Sequence, residues 1–188
     1  NFKPGAWGGL LMLSSDLSNY DLAVKEHIYR TYKYGLSGIF VSSVDDLGIA
    51  VVGAGRGTRI QNNEITEALG GIEMDDVADL TISGNTIHAI SSVAMYSEHS
   101  NVVNAQIFDN LIYDSLHAIR LQRPKAPMAL HYFRNKYWSS RQTGHCGFFN
   151  HMPGEPLVTN PAKLMFYHNT CAGSFIGFYF APDLGDFG

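Results

Sequence analysis

The sequence predicts an all-β solenoid built from short parallel strands, on two observations. An Asn recurs with an apolar residue three positions before it and another two after it, at separations of 22, 25, 25 and 34 residues (85−63, 110−85, 135−110, 169−135). A mostly apolar residue, preceded by a small one, recurs about nine positions after each Asn. A period of this size that tolerates insertions is typical of stacked structural repeats. The five copies centre on Asn63, Asn85, Asn110, Asn135 and Asn169.

The apolar positions around each Asn predict three short strands per coil, and so one parallel sheet on each of three faces. About six such coils are expected. We assign the Asn residues an architectural role, because Asn tolerates a left-handed backbone and its amide can bond to the Asn of the next coil. The residues predicted to point inward are Ile60, Ile82, Ile107, Tyr132 and Phe166 before the Asn, Ile65, Ile87, Ile112, Tyr137 and Cys171 after it, and Ile39, Ile72, Ala94, Ile119, Phe148 and Phe178 on the third strand.

The chain is predicted to be organised around one solenoid. Residues 1–20 are expected to form a partial coil or cap, 21–181 the solenoid, and 182–188 the start of a further segment. In a degenerate first coil Glu26 takes the place of the Asn. Residues 38–41 are predicted to form the Gly-Ile strand of this coil, the first of the series. Open solenoid ends expose strand edges. We therefore expect further chain of the same protein, or a partner chain, to complete it.

Composition excludes several classes of protein. The 188 residues can bury one sizeable core. A net charge of −4 argues against a nucleic-acid binder, and no apolar run approaches the ~20 residues of a membrane helix. The two cysteines, Cys146 and Cys171, occupy different positions of their repeats, so no disulfide framework is predicted and Cys171 is expected to be a buried free thiol.

The Ile-x-x-Asn-x-Ile copies and the Gly-Ile copies after them resemble the right-handed parallel β-helix family, the pectate-lyase-like superfamily, over residues 21–181. The resemblance implies a single-stranded, right-handed β-helix. The strand before each Asn would lie in the second sheet, the strand after it in the third, and the Gly-Ile strand in the first. It further implies a secreted, periplasmic or cell-surface protein whose substrate lies along the outer face of the first sheet. Enzymes, tailspikes and adhesins share this fold, so it does not specify a function.

Alternation of side chains predicts two outward columns on that first sheet. Polar residues occupy the middle coils and aromatic residues the flanks, a pattern that favours a cleft for an extended glycan whose apolar C–H faces stack on rings. The loops leaving the sheet add Asp76, Glu98, His99 and Arg123, and the longest loop spans 152–163. The first column is Phe40, Glu73, Met95, Arg120, Phe149 and Tyr179, and the second is Ser42, Asp75, Ser97, Gln122, His151 and Ala181.

The predicted function is a carbohydrate-active enzyme acting on a polysaccharide. In β-elimination from a uronic acid, Arg120 or His151 would be the base, and Glu73 with Asp75 would hold a calcium ion, as lyases of the resembled family often do. In hydrolysis the same two carboxylates would be the acid and the base. Further substrate contacts are predicted from Gln122, Arg123, Glu98, His99, Phe149 and Tyr179.

Other interpretations remain open from the residues. A non-catalytic glycan-binding or structural segment of an adhesin, tailspike or cell-surface protein has the same repeats, and epimerisation of uronates shares the proton abstraction. Glu-Arg pairs across strands are also ordinary surface stabilisers. Most histidines, including His117, are interpreted as surface or packing residues, with His145 before the first sheet kept as an exception. The glycine-rich stretch 52–57 leads into a strand, which disfavours a dinucleotide loop.

Overall fold

The computed structural model describes residues 10–12, 36–37, 40–41, 47–52, 57–98, 101–122, 128–139, 144–150, 163–173 and 176–181. The regular structure in these ranges consists of β-strands that all pair in parallel. The strands stack on three faces, as the repeat predicts. Within the same ranges there is no helix with the length and apolar character needed to cross a membrane.

The three faces are connected differently. Strands β10 (Thr86–Glu98) and β13 (Leu111–Gln122) each run from the third face onto the first, so those two faces form one 11-stranded sheet, while the second face is a separate 6-stranded sheet. The first face also contains β1 (Leu10–Met12), β4 (Leu47–Val52), β7 (Gly70–Asp75), β16 (His145–Asn150) and β19 (Ile176–Ala181). The second comprises β2 (Leu36–Ser37), β5 (Arg59–Gln61), β9 (Thr81–Ser83), β12 (Ala105–Phe108), β14 (Ala129–Phe133) and β17 (Lys163–Tyr167), and the third adds β3 (Phe40–Val41), β6 (Glu64–Thr66), β15 (Lys136–Trp138) and β18 (Thr170–Ala172).

Two details of the coils differ from the prediction of six coils with three strands each. About three turns are seen, in the nearly continuous range 57–122, which is fewer than the six predicted. A short extra ladder, β8 (Val77–Ala78) with β11 (Val102–Val103), lies between the first and second faces. The corner after the first sheet is therefore itself hydrogen-bonded from coil to coil.

The first coil is shifted relative to the prediction. Strands β2 and β3 pair with β5 and β6, which assigns Phe40 to the third sheet instead of the first. The first-sheet strand of this coil is β4, where Ile49 pairs with Ile72. Gly48 precedes Ile49, as in the Gly-Ile pattern. A side chain at position 48 would clash, because its Cβ would lie 2.5 Å from the side chain of Ile65.

The interior is filled by the predicted apolar columns. Ile60, Ile82 and Ile107 are fully buried on the second face, and Ile65, Ile87 and Ile112 are fully buried on the third. Toward the later coils, aromatic residues replace isoleucine at these positions. Tyr132 and Tyr137 are buried, and Phe166 packs against Tyr132 with ring centroids 5.7 Å apart.

The five Asn residues form a continuous ladder along the solenoid, which confirms their architectural role. The Nδ2 group of Asn63, Asn85 and Asn110 each donates to Oδ1 of the Asn one coil on, at 2.9 Å. Asn135 makes the corresponding bond to Asn169 at 3.3 Å. Each accepting Oδ1 also receives the backbone N–H of the preceding Asn, as in Asn85 to Asn110 at 3.0 Å. The buried amides thus satisfy one another and the backbone of the turn.

The left-handed backbone lies one residue earlier than expected. The Asn residues themselves do not adopt it; in each of the five turns it belongs to the residue before the ladder Asn, with φ values of 54° to 66°. This separates two tasks, since one residue reverses the chain and the next supplies the amide. The residues with positive φ are Asn62, Gly84, Asp109, Arg134 and His168.

The expectation of a free Cys171 is wrong. Cys146 and Cys171 form a disulfide with a Cα–Cα distance of 6.0 Å. Cys146 lies on β16 of the first face and Cys171 on β18 of the third. The two cysteines occupy different positions in the repeat, which argued against a disulfide. Strands on two faces of adjacent coils nevertheless approach each other across the interior, and the disulfide forms there.

We predict that Asn110→Ala lowers the free energy of unfolding by roughly 3 kcal/mol, because the buried groups of Asn85 and Asn135 lose their partner. Chemical denaturation monitored by circular dichroism measures this. Gln106→Ala, an exposed position on the adjacent strand β12, is the control and should change stability by less than about 0.5 kcal/mol. Equal effects at both positions would contradict the ladder's role.

We also predict that reduction destabilises the protein. The disulfide joins residues separated by 25 positions, for which loop closure corresponds to about 3 kcal/mol. Melting temperatures measured with and without dithiothreitol should differ in the wild type. They should coincide in the Cys146→Ala, Cys171→Ala double variant, and a wild type that does not respond to the reductant would refute the pairing.

Candidate functional site

The outer face of the first sheet has one continuous column of paired polar and aromatic residues. Glu73 pairs with Tyr96, which pairs with Arg120. Arg120 in turn pairs with Phe148, and Phe148 with Tyr179. The sheet therefore brings together three predicted residues, Glu73, Arg120 and Tyr179, and adds Tyr96 and Phe148.

Three residues predicted to face outward point into the core instead. Met95 is fully buried and Ser97 is 2% exposed, because a bulge between Ile90 and Val93 moves the register of this coil by one residue. Phe149 is 7% exposed and packs on Phe166 with ring centroids 4.9 Å apart, so it is not a substrate contact. In a strand, a shift of one residue exchanges the two faces.

The second outward column is described in part. Glu98 pairs with Gln122, which pairs with Asn150, the position that the sequence assigned to His151. Asp75 joins this column through its Oδ1 atom, which accepts the backbone N–H of Glu98 at 3.0 Å. Three predicted site residues, His151, Arg123 and His99, lie outside the described residues.

The early coils of this face are acidic. The hydroxyl of Tyr96 donates to Glu73 Oε1 at 2.8 Å. Burial of the phenol, together with that hydrogen bond and the negative charges of Glu73, Asp75 and Glu98, raises the pKa of Tyr96. Tyr96 therefore keeps its proton at neutral pH and stands between a carboxylate and the neighbouring Arg120.

The later coils are cationic and aromatic. The guanidinium of Arg120 lies 5.5 Å from the ring centroid of Phe148, within the range of a cation–π contact. Phe148 and Tyr179 follow at 5.2 Å, and Tyr179 is 37% exposed. The Nε atom of Arg120 is buried and has no hydrogen-bond partner among the described residues. The Nε–H group of Arg120 is therefore buried against the protein without a hydrogen-bond acceptor among the described residues.

A histidine pair, His117 with His145, adjoins this aromatic end, and the burial of His117 agrees with its interpretation as a packing residue. The Nδ1 atoms of His117 and His145 are 3.1 Å apart, so one ring donates and the other accepts. His117 also stacks on Phe148 at 5.2 Å. Burial, then the charges of His145 and Arg120, lower its pKa to about 4. The two histidines occupy paired positions on β13 and β16, a relation that appears only once the coils are correctly aligned.

A cleft of about 210 Å³ lies beside the centre of the face. It brings together three predicted residues, Glu98, Arg120 and Gln122, with Tyr96. Glu73 and Asp75 are not part of its lining. The remaining walls come from the residues where β7 begins and from the bulge of β10, namely Leu69, Gly70, Ser92 and Val93.

The predicted calcium ligands do not form a metal-binding group by themselves. In the part of the chain that the structure describes, no set of three or more His, Cys, Asp or Glu side chains could hold a metal ion. Glu73 and Asp75 already accept hydrogen bonds from Tyr96 and Glu98. The involvement of calcium stays a prediction.

Comparison with known proteins agrees with this architecture. The family model described as a right-handed β-helix region matches residues 18–122. The chain belongs to this family. Neither the curated proteins nor the solved structures contain a match. Membership of the right-handed β-helix family thus rests on the family model and agrees with the stacked parallel strands.

We predict that His117 makes stability depend on pH. The pKa of His117 is 6.5 in the unfolded chain and about 4 in the folded protein. Stability from neutral His117 is therefore fully present above pH 6.5 and is lost as the pH falls toward 4. Melting temperatures over this range should fall less steeply in His117→Asn than in the wild type. The exposed His168→Asn is the control, and an unchanged slope in His117→Asn would contradict the assignment.

Proposed function

We propose that this β-helix protein is a carbohydrate-active enzyme that binds an acidic polysaccharide along the outer face of its first sheet. The observation that supports the proposal is the column of Tyr96, Arg120, Phe148 and Tyr179, with one side chain from each successive coil. Strands repeat every ~4.8 Å, so rings and polar groups are presented at intervals comparable with the rings of an extended sugar chain. Aromatic faces suit the apolar C–H faces of sugars, and the cleft beside Arg120 offers space for a substituent.

Arg120 is the proposed partner of a uronate carboxylate. A guanidinium stays charged in proteins and presents planar donors to a carboxylate, and Arg120 is part of the lining of the cleft. In β-elimination this charge would offset the negative charge that develops as the proton next to the carboxylate leaves. Because a guanidinium does not release its proton, Arg120 is better suited to this role than to that of base. We assign the base to His151, which follows directly after β16.

Glycan binding without catalysis is the second candidate. It is favoured by the absence of a metal-holding group among the described residues and by the hydrogen bonds that already engage Glu73 and Asp75. Stacking on Phe148 and Tyr179 would supply affinity without any chemical step. The two candidates share one ligand and one face and differ in whether product forms.

We propose a secreted, periplasmic or cell-surface location. Disulfides persist in oxidising compartments and are rare in the cytosol, and Cys146–Cys171 bridges two faces of the solenoid. Polysaccharides of cell walls and matrices occur in the same compartments, so location and proposed ligand agree.

We predict that the protein releases unsaturated products from polygalacturonate or alginate, detected by ultraviolet absorbance with and without added calcium. Arg120→Ala should lower the rate by roughly 100-fold, because a charge that stabilises the transition state is removed. Arg120→Lys should restore part of the rate. Arg59→Ala, an exposed arginine on the second sheet, is the matched control and should retain activity.

The outcomes separate the candidates. Absence of product together with binding that is lost in Arg120→Ala would exclude the enzyme and support glycan binding alone. Absence of both product and binding would overturn both proposals for the first sheet.

A further inference from the structure

The charged side chains on the outer face of the first sheet are unevenly distributed. Three carboxylates, those of Glu73, Asp75 and Glu98, lie on β7 and β10, and one guanidinium, that of Arg120, lies on the next strand, β13. The other described first-sheet strands, β1, β4, β16 and β19, contain no Asp, Glu, Lys or Arg. On the described part of this face, three negative charges therefore stand against one positive charge.

Arg120 is the part of this face that attracts an anion. Among the described residues it makes no ion pair, in contrast to Arg134, which is paired with Asp109. Its guanidinium lies 5.5 Å from the ring centroid of Phe148 on the following strand, and the residue contributes to the wall of the cleft. The cleft therefore offers one positive charge, enough to pair with a single carboxylate of a bound glycan.

The carboxylates make the other side of the cleft negative. Glu98 is itself part of the lining, together with Tyr96. Asp75 accepts the backbone N–H of Glu98 at 3.0 Å, and Glu73 accepts the hydroxyl of Tyr96 at 2.8 Å, so both carboxylates are held beside lining residues. After burial of the phenol and its hydrogen bond, the charges of all three carboxylates contribute to the raised pKa of Tyr96. Their negative potential therefore extends to the cleft wall.

A chain composed only of uronates fits this distribution poorly. Every sugar of such a chain carries a carboxylate, and the strands repeat every ~4.8 Å along the solenoid. With one uronate paired to Arg120, the next uronates toward β10 and β7 would lie close to Glu98 and Glu73, and like charges placed together oppose binding. A neutral sugar avoids this repulsion, and its hydroxyl groups can donate hydrogen bonds to carboxylates.

We propose that the first-sheet cleft selects a glycan in which a uronate is flanked by neutral sugars, in preference to a continuous run of uronates. This inference rests on the function proposed above and adds the class of glycan. The uronate pairs with Arg120, and a neutral sugar lies toward Glu98 and Glu73. The sugar on the other side stacks on Phe148 and Tyr179, whose ring centroids are 5.2 Å apart. Glu98 is the specificity-determining residue, because it lies on the cleft wall together with Arg120.

Binding of two forms of one polysaccharide tests the inference. Polygalacturonate is compared with polygalacturonate in which most carboxyl groups have been reduced to alcohols, so that the remaining uronates are isolated on the same backbone. Isothermal titration calorimetry at one ionic strength, without calcium and with concentrations expressed per uronate, should give a Kd about tenfold lower for the reduced form. Hyaluronan, in which uronates alternate with neutral sugars, serves as a second ligand with isolated uronates.

Substitution of the carboxylates should change this preference. Glu98→Gln should bind polygalacturonate about threefold more tightly, because one like-charge contact is removed, and should not bind the reduced form more tightly. Glu64→Gln is the matched control, because it removes the same charge from an exposed position on the third sheet, and its ratio of the two Kd values should equal that of the wild type. Glu73→Gln should shift the ratio in the same direction as Glu98→Gln, so the test holds even if Glu98→Gln does not fold.

The outcomes separate this inference from the proposed function. Tighter binding of polygalacturonate than of the reduced form, with or without calcium, would overturn the inference and leave the first-sheet proposal standing. A Kd ratio that Glu98→Gln and Glu73→Gln leave unchanged would do the same. Absence of binding to all three glycans would overturn the first-sheet proposal itself, and this inference with it.

Discussion

The stacked amides of the five ladder Asn residues are the interaction on which the coils depend. Each amide donates to the next and accepts from the backbone of the one before, inside a buried turn where water cannot replace it. This aligns the second and third strands of successive coils residue for residue. The inward columns of Ile60 and Ile65 and their equivalents follow directly, because their positions are counted from the same Asn.

With the interior committed to packing, chemistry is confined to the outward columns. A column repeats one position from coil to coil, so neighbouring side chains along the axis belong to residues about 25 apart in sequence. This is why Glu73 meets Tyr96, and why Arg120 meets Phe148. The first sheet thereby acquires an acidic half and a cationic, aromatic half on one face.

The later coils stabilise themselves differently from the earlier ones. Buried isoleucines give way to Tyr132, Tyr137 and Phe166, and a disulfide crosses the interior between Cys146 and Cys171. The spacing of 34 residues between Asn135 and Asn169 exceeds that of the earlier coils. Aromatic packing and a covalent link thus take the place of isoleucine packing in these coils, and the disulfide tethers β16, the strand that contains Phe148.

The sequence by itself determined the solenoid, the Asn ladder and the inward positions of the second and third sheets, because these all lie within a few residues of a recognisable Asn. It also predicted that Glu73, Arg120 and Tyr179 share one outward column of the first sheet, and the strand pairing confirms that they do. The tertiary structure decided the side on which Met95, Phe149 and Phe148 lie, since a bulge or an insertion before the first sheet shifts the register by one residue and exchanges the faces. It also decided the Cys146–Cys171 and His117–His145 pairs. Both depend on which strands become neighbours across coils, and that is a property of the stack and not of any single repeat.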